Sequence, residues 1–93
     1  MDDLLEDIKL SLGINWNDTN TDKRINTYIE DGKAELNEIA GAELDYSVPG
    51  IERRLLKDYC RYANSNATEM FKVNFRSELL ELNLKYCVKA VGD

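Results

Sequence analysis

The sequence predicts an all-α fold: one domain over residues 1–93, a small bundle of about four helices with a long central helix. Apolar residues recur at steps of three and four in four separate stretches, which is the spacing of one helix face. No strand-like alternation runs longer than a few residues, and there are no repeats or low-complexity tracts. Gly13, Gly41 and Pro49 fall between the stretches, where helices stop or start.

The first helix is expected from Asp2 to Leu12, with Leu4, Leu5, Ile8 and Leu12 as its stripe and Gly13 as its stop. Asp2 and Asp3 lie where the helix dipole favours acids. The run INWNDTN, residues 14–20, reads as a loop. Its one large apolar side chain, Trp16, is expected to fold back as a lid on the core, with an exposed binding anchor as the alternative. The second helix starts near Thr21 or Asp22 and ends before Gly41. Its seam for an antiparallel helix neighbour is Ile25, Ile29, Gly32, Leu36 and Ile39, and Gly32 there implies close approach of another backbone or side chain.

The stretch from Val48 to Phe71 supplies the central helix, with Pro49 in its first turn and Ser47 or Val48 at the cap. It carries two adjacent rows: Ile51, Leu55, Tyr59, Tyr62, Ala63 and Met70, and Leu56, Cys60, Ala63, Ala67 and Phe71. A band that wide calls for neighbours on two sides. After a break near Lys72 to Asn74, the last helix is expected from Phe75 to Lys89. It too has two rows: Phe75, Leu79, Leu82 and Tyr86, and Leu80, Leu84, Cys87 and Val91. A terminal helix in so short a chain rarely buries both within its own core, so one is a candidate for a protein partner.

Ninety-three residues, 43% hydrophobic and 32% charged, describe one globular core with a small stability margin. The acidic start MDDLLEDIKL and the lack of a ~20-residue apolar run suit a chain kept in a cytoplasm. Cys60 and Cys87 then read as small buried thiols. The net charge of −6 is unevenly spread. Residues 1–50 carry 12 acids against 4 bases, and residues 51–93 carry 6 against 8. Opposite halves suit head-to-tail contact between copies, although solvated surface charge explains the same split.

Chemical motifs largely fail, and no catalytic residues, metal site or cofactor are expected. Asp18-x-Asn20-x-Asp22 opens like a calcium loop, but Lys23 stands at the glycine position and Ile29 at the closing acid. Glu35 with Glu38, and Glu78 with Glu81, have the spacing of magnesium-holding acid pairs, yet solvated helix faces explain them. With no histidine, triads and zinc sites have no basis. The arginines suggest a comparison with small helical chorismate mutases, but their positions do not match that family's motifs. A helix-turn-helix needs a shorter and less acidic turn before the third helix, and the negative charge opposes a phosphate footprint.

The order LLEDIKLSLGI, Trp16, Asn17-Asp18, then TDKRINTYIEDGKAELNEIAG, RRLLKDYCRYANSNA and NFRSELLELNLKYC, resembles the phage head–tail connector family. These are small helical head-completion proteins of tailed phages and prophages of Gram-positive bacteria, and the resemblance covers nearly the whole chain. It implies a structural adaptor of the virion's head–tail interface, present in the host cytoplasm during assembly. Such an adaptor forms a ring, typically of twelve copies, under the portal protein, extends the DNA channel and docks a stopper or head-completion protein. DNA passes without specific binding. The family grips the portal with the C-terminal helix, which maps by position onto Leu84, Tyr86, Val88, Lys89 and Val91. Arg53, Arg54, Arg61 and Arg76 are the expected subunit-contact residues, and Glu30, Asp31, Glu35 and Glu38 the expected channel-lining acids. The alternative is a small helical regulator that binds one host or phage protein.

Overall fold

The computed structural model describes the backbone of residues 3–14, 16 and 18–91, and the side chains of 4–14, 16 and 18–86. The all-α expectation holds. Among the described residues there are five helices: α1 Asp3–Ser11, α2 Thr19–Ala40, α3 Ile51–Asn64, α4 Thr68–Asn74 and α5 Arg76–Val91. None is long and apolar enough to cross a membrane.

Helix α2 is the longest, because its seam is unbroken: Thr21, Ile25, Ile29, Gly32, Leu36 and Ala40 are all buried. It stops where Gly41 adopts φ 72° and sends its N–H back to the Asn37 carbonyl, the left-handed ending that a residue without a Cβ reaches most easily. Helix α1 lays Leu4 and Ile8 into the core and ties to the start of α2 through Lys9, whose Nζ stands 2.8 Å from Asp22 Oδ1. Asp18 accepts a hydrogen bond from Thr21 Oγ1, 2.9 Å away. The acids that begin like a calcium loop are thus engaged at the α1–α2 junction.

The loop between α2 and α3 is pinned from within. Tyr46 is buried, and its hydroxyl donates to Asn37 Oδ1 at 2.8 Å, while the Leu44 N–H donates to the same oxygen at 3.2 Å. Helix α3 begins at Ile51 with Gly50 at its cap, so Pro49 precedes the helix instead of occupying its first turn. A residue before proline is pushed out of the helical region, which makes the Val48–Pro49 step an approach to the helix. Leu55, Leu56, Cys60 and Ala63 are its buried row, and α3 touches each of the other four helices. The wide apolar band therefore has its neighbours.

The predicted long central helix is divided. Asn66 takes φ 57°, and the Ala67 N–H turns back to the Tyr62 carbonyl at 2.9 Å, ending α3 before α4 starts. The turn carries Phe71 into the core and leaves Met70, placed inside by spacing alone, on the surface. Phe71 meets the Tyr59 ring edge-on at 5.4 Å and stacks on Phe75 at 5.0 Å. The break expected near Lys72 to Asn74 falls at Phe75, a one-residue joint between α4 and α5.

Trp16 also departs from expectation: it is 53% exposed and forms no lid. Ile14 fills that place, and is buried with Leu4 and Ile8 in the same core cluster. The bundle measures 45 × 29 × 17 Å over Cα positions. Helix axes pack about 8–10 Å apart, so the short dimension holds two layers and each helix keeps an outer face.

Candidate interaction surface

Helix α5 sorts its two apolar rows. Leu79 and Leu82 are buried, and Phe75 and Tyr86 pack against the core from its edge. Leu80 and Leu84 lie on the outside, 57% and 51% exposed. Four residues apart, they stand one turn above the other on a single face. Arg76, Ser77, Glu81 and Lys85, exposed on the same helix, lie beside them. Two large aliphatic side chains in water beside exposed polar residues are the composition of a small contact patch.

Of the residues expected to grip a partner, Leu84 is thus on the surface. Tyr86 is half-buried, and its hydroxyl is taken by Glu52. The side chains of Val88, Lys89 and Val91 lie outside the described residues.

The basic set divides. Arg53 is turned inward: Nη2 and Nε reach Asp7 Oδ2 at 3.0 and 3.2 Å, Nη1 reaches the Tyr46 carbonyl at 2.8 Å, and the side chain is 16% exposed. The physical reason is the crossing of α3 over α1, which brings Asp7 beside the first turn of α3; Lys57 reaches the same carboxylate at 3.3 Å. The Arg53 guanidinium bond holds the Asp7 carboxyl below its usual range, against an opposing effect of burial. Arg54 and Arg76 are exposed. Arg61 is exposed as well, pairs with Asp58 at 3.1 Å and lies over the Tyr62 ring.

The acidic set divides in the same way. Glu30, Asp31 and Glu38 are exposed along the outer side of α2. Glu35 is half-buried and holds Lys72 of α4 at 2.5 Å, which raises the ammonium pKa of Lys72. Both residues line a shallow cleft with Tyr59, Thr68 and Glu69. Among the described residues no group of three or more Cys, Asp or Glu is arranged to hold a metal ion.

One residue that spacing did not single out organises the end of α5. Glu52, in the first turn of α3, is 7% exposed, and its Oε2 accepts from Lys85 Nζ at 2.8 Å and from the Tyr86 hydroxyl. Burial pushes its carboxyl up, but the bonds from Lys85 and Tyr86 outweigh that and leave it below the usual range. The only trace in the sequence is an acid where the helix dipole welcomes one. Its partners are 33 and 34 residues away.

Comparison with protein-family models, with curated proteins and with solved structures returns no match.

Proposed function

We propose that this chain is a head–tail connector of a tailed phage: a structural adaptor that assembles as a ring under the portal and docks the next head-completion or stopper protein. The observation that carries the reading is the outward row Leu80 and Leu84, an apolar contact face on the helix that the resemblance assigns to the portal. Arg54, Arg61 and Arg76, exposed where Arg53 is not, are the remaining cations for contact with a neighbouring copy. Glu30, Asp31 and Glu38 are acids that would repel phosphates if they face the channel, letting the genome pass without adhering.

A second reading, a helical regulator bound to one host or phage protein, uses the same apolar face. It is favoured by the engagement of Arg53 and Glu35 inside the chain, which thins the charge left for contacts between copies. Mixing the protein with portal-bearing capsids and imaging the vertex separates the two. The connector reading expects a ring of subunits at the vertex, lost in Leu80→Asp/Leu84→Asp while circular dichroism stays that of the folded chain. A bare vertex with the unaltered protein rejects the connector and leaves the regulator.

A further inference from the structure

The C-terminal part of α5 carries polar attachments in addition to apolar packing. Through Leu82 the helix is seated by apolar packing, with Phe75, Leu79 and Leu82 in or against the core cluster. Beyond Leu82 the packing of the Tyr86 ring against the core cluster is joined by three polar attachments. Asn83 Nδ2 donates to the Ile39 carbonyl at the end of α2, 2.8 Å away. Lys85 Nζ and the Tyr86 hydroxyl both converge on Glu52 Oε2, while Leu84 between them stays 51% exposed.

We propose that Glu52 is a latch: by receiving Lys85 and Tyr86 it fixes the last turns of α5 against α3 and thereby sets the direction in which Leu84 points. Its bearing on docking rests on the connector reading above; the latch itself does not. The argument concerns the cost of an unmet charge. A carboxylate buried to this degree is tolerated only while donors surround it, and without them it must regain water or a proton. Glu52 sits on α3, which touches every other helix and has little freedom to move. The end of α5 is the cheaper part to displace, because Leu84 and Lys85 already face solvent. Loss of the latch therefore frees the tip of α5 and leaves the rest of the bundle standing. Three contacts within four residues, at 83, 85 and 86, also fix the rotation of the helix, since a turn of one residue position would carry all of them off their acceptors.

Native-state amide exchange tests this with no partner present. In Glu52→Gln, and independently in Lys85→Met/Tyr86→Phe, whose changes fall at partly exposed positions compatible with folding, amides of residues 83–91 should exchange at least about tenfold faster. Amides at Ile29, Leu36, Leu56 and Cys60 should change by less than about threefold. Uniform acceleration across all helices in the Lys85→Met/Tyr86→Phe chain would show general stabilisation and overturn the latch, as would unchanged protection at 83–91. Attachment to portal-bearing capsids is scored separately: failure of the unaltered protein to attach rejects the docking reading, whereas the exchange pattern alone decides the latch.

Discussion

Gly32 of α2 lies so close to Tyr59 of α3 that a methyl group built on it would stand 2.8 Å from Tyr59 Cδ1 and 2.7 Å from Leu56 Cδ1. Both distances are inside contact, so the helix pair has closed onto a site with no side chain. Gly32→Ala gains up to ~1 kcal/mol of helix propensity but meets an overpacking penalty of ~1–3 kcal/mol. The expected outcome is a net loss of about 1–2 kcal/mol in urea unfolding. Adding Tyr59→Ala should make the second change less harmful than it is alone, the non-additivity of residues in contact.

Asp7 and Glu52 share one pH signature. Each carboxyl lies below its ordinary range in the folded chain, Asp7 through Arg53 and Glu52 through Lys85 and Tyr86 against the effect of burial. A depressed folded-state pKa contributes stability that is fully present above the ordinary carboxylate pKa and lost as pH falls through the folded value. Asp58 has the opposite sign, since burial raises its carboxyl despite Arg61. Asp7→Asn should lower stability near neutrality and flatten its decline between about pH 5 and about pH 3, measured by thermal melting across that range.

Cys60 is fully buried among Leu55, Leu56 and Phe71, and burial pushes its thiol up to about 12. The reactive species is the thiolate, so this thiol should resist disulfide reagents near neutral pH. In a chain carrying Cys87→Ser, labelling of Cys60 should proceed at the rate at which the core opens and accelerate in urea. Stoichiometric labelling within seconds in buffer would place that thiol at the surface instead.

Asn66 sits at φ 57°, a region that asparagine tolerates and β-branched residues do not. Asn66→Gly should leave stability within about 0.5 kcal/mol, and Asn66→Val should cost about 1–2 kcal/mol by thermal or urea unfolding. An unchanged Asn66→Val would mean that α3 and α4 join without needing the left-handed residue.

Helix α2 was legible because every buried position from Ile25 to Leu36 obeys one period, and Gly32 announced the close approach. The division of the central helix was not, because Ser65-Asn66-Ala67 contains neither glycine nor proline and Ala67 continues the apolar row. A single left-handed residue carries little composition signal. On α5 the spacing exposed two rows but not which would be covered; that depends on the packing of α5 against α2, and Leu79 and Leu82 are the residues that join the core. The inward turn of Arg53 and the role of Glu52 were invisible for a different reason. Each depends on a partner more than 30 residues away, and residue type alone does not distinguish a solvated charge from one held across a helix crossing.

The open position of Trp16 has a practical consequence for anyone following this chain by light. As the chain's only indole, already half in water when folded, it should shift its emission maximum on unfolding by less than a buried indole would. The same exposure makes it a quiet background against which a blue shift would report any surface that comes to cover the turn between α1 and α2.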